Sequence, residues 1–493
     1  MINHHVKLYG LPLLAMLVSL FFFGWLLHIL PNPYALDDSF RHLMMAGQLR
    51  THGIGSGIGW DRWFAAGVMS ELSVDPWYGY HVLLIPFATL PLALATDAIS
   101  LTSIIILAIT FWYVLRPYAL SPLTQATLIL LLLLGEANFT MRLLLARPYV
   151  LVTAISLLTI HAVMHRKLAL LSISLLIATL LSQLFVFPLL FAIVSAAVMI
   201  AHSDRKLGFR CACCALLGTC LGFLLHPHTG QYLIYMLTVF LRIPLLQNVS
   251  LGNEMTSGFD RFLPFVEITL LLTIATLFFV AQTKKLHRDQ LYRHGITTMG
   301  SVVLMLFLLF TQWQRALDFL WPMSLLWLGM ILNLSPTALR DACRHWIKHC
   351  KRTVSITLCL MVIASMMLWP RLADWLWPAL IVLATLSVWP ALVPRLVPIG
   401  LITFITVSLS AASAFLAGAE GNATRRIENF GAIATVPSGS VMLNPDWDRF
   451  SLLVTLRPDL QFVHGIDAGF LHLSDPEGYR QLQSIYGLTR EHA

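Results

Sequence analysis

The sequence predicts an all-α polytopic membrane protein of about 13 transmembrane helices with a small C-terminal α/β domain. Three observations predict it. Of 493 residues, 58% are hydrophobic and only 11% charged, with a mean hydropathy of +0.77, whereas a soluble domain carries about 25% charged residues. A chain this long and apolar has no soluble core large enough to hide its side chains. The apolar residues also come in runs of about 20, the length that crosses a bilayer as a helix with its backbone groups satisfied internally. A soluble enzyme and a disordered chain are both excluded. Nucleic acid is not an expected partner despite the net charge of +8, because the basic residues sit in short flanks between apolar runs. The lipid bilayer is.

In chain order, spans are expected near 9–30, 98–115, 122–135, 148–164, 168–182, 184–201, 211–226, 262–282, 296–312, 318–334, 353–369, 376–394 and 397–418. The segment 78–96, YGYHVLLIPFATLPLALAT, is apolar but holds Pro86 and Pro91, which interrupt a helix. Charge decides whether it crosses. If it does not, and the amino terminus is cytoplasmic, 17 basic residues including all seven lysines face the cytoplasm with three acids, Asp204, Asp289 and Asp341. The other side then holds 15 arginines and the remaining 21 acids. If it crosses, every later loop inverts against the positive-inside rule. The expectation is therefore thirteen spans, amino terminus in the cytoplasm, carboxyl terminus outside. The first span has no small-residue cleavage site before Asp37 and reads as an anchor, not a signal peptide. All seven cysteines fall in spans or on the cytoplasmic side, so no disulfide framework is expected. Cys211-x-Cys213-Cys214 is spaced poorly for zinc and reads as membrane-helix thiols.

Three outward segments are too long for simple turns: Pro31 to about Pro76, His226 to Arg261, and the tail Ala419–Ala493. Polar sequence concentrated on one face marks a working face. This divides the chain into a membrane domain, 1–418, whose first loop is 31–76, and a C-terminal domain, 419–493. In the tail, SVMLN (440–444), SLLVTL (451–456) and QFVHGID (461–467) read as strands and PEGYRQLQSIYG (476–487) as a helix. At about 75 residues it is expected to dock on the rest.

The first loop opens PNPYALDDSFRHLMMAGQLRTHG. Asp37 and Asp38 stand at the membrane surface, and an amphipathic helix follows. Its apolar side takes Phe40, Leu43, Met44 and Leu49, and Arg41, Gln48 and Arg50 are expected to face water, laying it flat on the interface. The two aspartates also suit helix capping. Gly53, Gly55, Gly57 and Gly59 imitate a phosphate loop but follow no strand and lead to no Lys-Ser/Thr, so a hinge is the better reading.

These features together resemble the GT-C class of membrane glycosyltransferases, such as the protein O-mannosyltransferases, the lipid A aminoarabinose transferases and the oligosaccharyltransferase catalytic subunits. The likeness rests on the acidic pair Asp37-Asp38 after the first span and the aromatic stretch DPWYGYHVLLIPF (75–87). It rests also on the outward loop GEANFTMRLLLARPYV (135–150), on RALDFLWP (315–322) at a span entrance, and on the soluble tail. HPHTGQYL (226–233), DWDRF (446–450) and GIDAGFLHLSDPEGYR (465–480) look like a group of bacterial GT-C-like proteins of undefined substrate. The second outward loop departs from the common pattern, with Glu136 as its only acid and no D-x-D pair.

The resemblance implies a polyprenyl-phosphate-linked sugar donor, a glycan, lipid or protein acceptor, and a periplasmic active site in the bacterial inner membrane. An acceptor hydroxyl needs a base as the glycosidic bond forms, and a carboxylate suits that role. Asp38 or Asp37 is the expected base. The leaving phosphate needs positive charge, best from arginine's planar fork. Arg142, Arg147 and Arg315 are the candidates, with His226 and His228 behind them; snorkelling to the interface is the competing reading for each arginine. Glu136 is a candidate to assist the base or hold a metal, and a divalent metal is otherwise left open, no cofactor being called for. His81, Trp77 and Tyr78 are candidate sugar contacts, with packing or an interfacial aromatic belt as the alternative, as for Trp60 and Trp63. Asp318 is expected to pair with Arg315 three residues before it. Asp446-Trp447-Asp448 reads as a turn. The rival functions are a lipid-linked glycan transporter or flippase and a non-catalytic GT-C-like assembly subunit.

Overall fold

The structure, a computed structural model, describes residues 2–29, 38–202, 204–242, 290–333, 433–444, 450–463 and 468–491, and the isolated positions 268–269, 271–272 and 465–466. Asp37, the spans expected at 353–369, 376–394 and 397–418, most of 262–282, and the Asp446–Asp448 turn lie outside these residues.

The protein is a bundle of apolar helices. Nine expected spans coincide with helices: α1 (Ile2–Ile29), α5 (Leu92–Leu115), α6 (Pro122–Leu134), α8 (Tyr149–Met164), α9 (Leu168–Leu181), α10 (Val186–His202), α11 (Arg205–Leu225), α13 (Gln290–Gln312) and α14 (Leu317–Asn333). Among the described residues four stretches are long and apolar enough to cross a membrane, Gly10–Leu27, Leu92–Tyr118, Gln183–Ala201 and Arg205–Leu225. Between them lie the shorter elements α2 (Ser39–His52), α3 (Val68–Glu71), α4 (Tyr78–Leu84), α7 (Ala137–Leu143) and α12 (Thr229–Leu237). Side chains such as Leu17, Phe21, Phe209 and Leu224 are more than 60% exposed. That is untenable in water but natural against lipid tails. This is a multi-pass membrane protein.

The segment 78–96 makes no span of its own. It forms the seven-residue α4, a short 3-10 turn at Phe87–Thr89, and the first turn of α5. Seven residues rise only about 10 Å.

Helix contacts rest on small residues, as bilayers favour. On α11, a Cβ added to Gly218 would stand 2.2 Å from the Ser172 carbonyl oxygen on α9, and one added to Gly208 would stand 2.7 Å from that of Ala196 on α10. The Ser172 hydroxyl donates to the Cys214 carbonyl across the same seam (2.8 Å).

The loops sort to two ends. At one end Lys167 Nζ donates to the Tyr113 hydroxyl (3.1 Å) and Arg166 meets Asp204 (3.5 Å), joining α5 to the α8–α9 and α10–α11 turns. At the other end Asp38 meets Arg147 of the α7–α8 connection, Arg142 of α7 meets Asp318 of α14, His226 after α11 meets Asp75, and the tail reaches Asp38 through Ser451.

The tail holds α15 (Phe450–Leu456), α16 (Ala468–Ser474), α17 (Pro476–Glu491) and two parallel two-residue strands, β1 (Val441–Met442) and β2 (Gln461–Phe462). The expected strand SLLVTL is a helix. Phe450, Leu452, Leu453 and Val454 are buried while Leu456 at its end is exposed, and the helix is seated on α2; that packing overrides β propensity. The tail docks on the first loop. The Ala65 amide donates to the Phe462 carbonyl (2.8 Å), the Trp63 indole to that of Pro458 (2.9 Å), and Phe64 stacks on Phe450.

Candidate active site

The site lies where α2, α4, the α7–α8 connection and α15 meet. Asp38 immediately precedes α2, yet its carboxylate makes no capping bond. One oxygen instead meets Arg41 at 2.8 Å and Arg147 at 3.7 Å, and the other accepts from the Ser451 hydroxyl of α15 at 3.0 Å. The Asp38 side chain keeps 28% of its surface exposed, against 4% for Arg41 and 17% for Arg147. An acid reachable from outside thus sits between two guanidinium groups from separate parts of the chain.

Arg41 does not face water as its place on α2 suggests. Its guanidinium lies 4.6 Å from the centre of the Trp77 ring and 5.9 Å from that of Trp60. A delocalised, weakly hydrated cation tolerates burial against aromatic faces. Trp60, Trp63 and Trp77 are all buried, a packed wall under the loop and not a lipid-facing belt. Tyr78 is partly buried, and its hydroxyl donates to the Ile54 carbonyl (3.2 Å).

Beneath Arg41 runs a buried polar chain. Asp75 is 2% exposed and His81 is wholly enclosed. His81 Nδ1 lies 2.5 Å from Asp75 Oδ2, and His42 Nδ1 lies 2.7 Å from His81 Nε2. A carboxylate only accepts, so His81 donates from Nδ1, and one proton is shared between His81 Nε2 and His42 Nδ1. Burial first, and the charges of His81, Arg41 and Arg147 after it, push the His42 pKa well below its ordinary value. Asp75 also accepts from the Trp60 indole and the Trp77 amide, each at 3.2 Å. Its carbonyl accepts from His226 Nε2 (2.9 Å).

The remaining candidates are occupied by the fold. His226 is buried, which lowers its pKa, and is tied to Asp75; His228 Nε2 donates to the Gly57 carbonyl (2.5 Å). Gly57 has φ +61°, and a Cβ there would come within 2.5 Å of His228, so this glycine permits a close approach. Arg142 grips Asp318 through Nε (2.7 Å) and Nη2 (2.8 Å), a two-pronged pair across helices. Arg315 lies in the 3-10 turn Gln314–Ala316 just before α14, partly buried. Glu136 is buried and caps α7, accepting from the amides of Asn138 (3.0 Å) and Phe139 (2.5 Å). Burial raises its carboxyl pKa to about 7 against the lowering by those bonds. Among the described residues no three His, Cys, Asp or Glu side chains are grouped to hold a metal.

Protein-family models give no match to the chain, and no curated protein matches it. A solved structure does: ArnT from Cupriavidus metallidurans bound to undecaprenyl phosphate, with a TM-score of 0.50 at 14% identity, over 95% of this chain and 89% of that one. The chain has a GT-C-like fold. At this identity the likeness speaks for the fold alone; the side chains at the site carry the rest. Of the residues brought together here, Asp38, Arg147 and His81 are among the sequence candidates, and Arg41, His42, Asp75 and Ser451 are not. The D-P-W stretch containing Asp75 was visible, and an acid beside proline and tryptophan at the end of the first outward loop was the available signal.

Proposed function

We propose that the protein is a GT-C-type glycosyltransferase that moves one sugar from a polyprenyl-phosphate carrier to a glycan, lipid or protein acceptor of the bacterial envelope. The amino terminus is cytoplasmic, and the site and the tail are periplasmic; the clean partition of lysines supports that orientation. The observation that carries the reading is the reachable Asp38 carboxylate between Arg41 and Arg147, on a fold shared with a protein solved with undecaprenyl phosphate.

The chemistry follows from the groups. The acceptor oxygen attacks the anomeric carbon and gives its proton to Asp38. The bond from that carbon to the phosphate oxygen breaks, and its electron pair leaves with polyprenyl phosphate. Arg147, the looser of the two partners, turns from the carboxylate to the phosphate as the donor enters, which releases Asp38 to act as base. Direct displacement inverts the anomeric centre. Asp37 adjoins Asp38 and shares the candidacy. Arg142, committed to Asp318, positions α7 and does not bind the phosphate.

The test is Asp38→Asn and Arg147→Gln, each checked for membrane expression, with envelope glycan profiles compared. Loss of a general base lowers turnover by about 10²–10⁴-fold, so Asp38→Asn is expected to erase the product. A normal profile would mean that the carboxylate only bolts the first loop to the tail, as a non-catalytic assembly subunit requires.

A further inference from the structure

The far end of the molecule carries a second concentration of charge. Beside the α8–α9 turn and the start of α11 lies an open groove of about 340 Å³ lined by Arg166, Leu168, Asp204, Lys206, Leu207 and Arg210. Three cations face one acid. Asp204 is already engaged, its Oδ1 accepting the Leu207 amide (3.0 Å) and its Oδ2 meeting Arg166 at 3.5 Å. That ion pair is between half-exposed side chains and holds weakly. Among the described residues Lys206 and Arg210 have no carboxylate partner.

Arg166 occupies an unusual position. α8 ends in a Schellman turn, with the Lys167 amide donating to the Ala162 carbonyl (2.8 Å) and the Arg166 amide to that of Val163 (3.2 Å). The left-handed residue of such a turn is ordinarily glycine. Here it is Arg166, at φ +57°. The position forgoes the relaxed residue and presents a cation to the groove.

A stripe of exposed side chains leads away from it. Lys206, Phe209 and Arg210 stand three and four residues apart and share one face of α11. The same face continues through Cys213, Leu216, Leu217, Cys220 and Leu224, all exposed. The opposite face packs on α9 and α10. One helix face therefore runs from a cationic head to an apolar surface about 20 Å long.

We propose that this groove binds the phosphate headgroup of an anionic glycerophospholipid whose acyl chain lies along the exposed face of α11. The cations match the phosphate charge and the stripe matches the chain; a free phosphate would use only the first. The site is at the opposite end of the bundle from Asp38 and does not depend on the transferase reading.

Full-length protein in neutral detergent is titrated with phosphatidylglycerol, phosphatidylcholine or inorganic phosphate, and bound lipid is read by native mass spectrometry. Phosphatidylglycerol is expected to bind in preference to phosphatidylcholine, with inorganic phosphate a poor competitor. Each cation near a lipid phosphate contributes about fivefold in affinity. Lys206→Gln/Arg210→Gln is therefore expected to bind about 25-fold more weakly and Lys206→Arg/Arg210→Lys nearly as wild type. Arg166→Gly, which suits the turn and keeps the fold, is expected to lose about fivefold. Unchanged phosphatidylglycerol affinity in the neutral variants, or equal binding of phosphatidylcholine, overturns the proposal. Displacement by inorganic phosphate at the lipid's own concentration also overturns it, in favour of a soluble anion.

Discussion

Asp75 joins more of the site than any residue legible in advance, holding His81 and the Trp60 indole by its carboxylate and His226 by its carbonyl. Replacing it by alanine strands the buried His81 and Trp60 donors while the backbone bond to His226 stays, and the expected cost is about 3 kcal/mol, read as a lower melting temperature in detergent. His42 supplies a pH signature. Its depressed pKa means that below the ordinary value of 6.5 the unfolded chain takes up a proton that the folded chain refuses. Stability thus falls on acidification, by at most about 1.4 kcal/mol per pH unit. Glu136 acts in the opposite sense, since its raised pKa adds stability as pH falls through about 7. The two are separated by His42→Asn, which keeps a donor toward His81 but cannot titrate. The variant is expected to lose less stability than wild type between pH 7 and 5; parallel losses would show that His42 is not held neutral. Asp38 was legible because two adjacent acids at a span end are costly in membrane surroundings. Arg41, His42 and Ser451 were not, because their roles come from partners the sequence does not place beside them. Ser451 lies 413 residues from Asp38.

At the scale of elements, apolar run length located the nine expected spans that fall on described helices, because the bilayer imposes one dimension on every helix. The interfacial helix α2 was legible in its extent but not its polarity. Periodicity sends Arg41 to water, whereas the rings of Trp77 and Trp60 cover the cation and Asp38 pairs with it. α15 shows the same limit from the other side: a short apolar run reads equally as strand or buried helix until a neighbour decides. The α9–α11 seam makes a sharper prediction. Gly218 faces the Ser172 backbone with no room for a Cβ, so Gly218→Ala must push the helices apart at about 1–3 kcal/mol. Thermal unfolding in detergent checks this, and an unchanged melting temperature would show that the seam is looser than the structure has it.

Across the whole molecule, the alternation of loops between two ends ties fold to function. The 78–96 segment turns back without crossing, which leaves Asp38, Arg147, His226 and the tail at one end and Arg166, Lys167 and Arg210 at the other. Had it crossed, the acidic pair and the second outward loop would stand on opposite sides and no site would form. The lysine partition carried that conclusion from sequence; the docking of the tail over the acid came only with the coordinates. A transferase whose base is removed leaves its donor unused. The most direct measurement is therefore mass spectrometry of lipid extracts from cells carrying wild-type protein or Asp38→Asn. The account predicts that a polyprenyl-phosphate-linked sugar accumulates in the variant while the corresponding sugar disappears from an envelope acceptor. Identical lipid-linked sugar pools in the two strains, with Asp38→Asn present in the membrane at wild-type level, would contradict it.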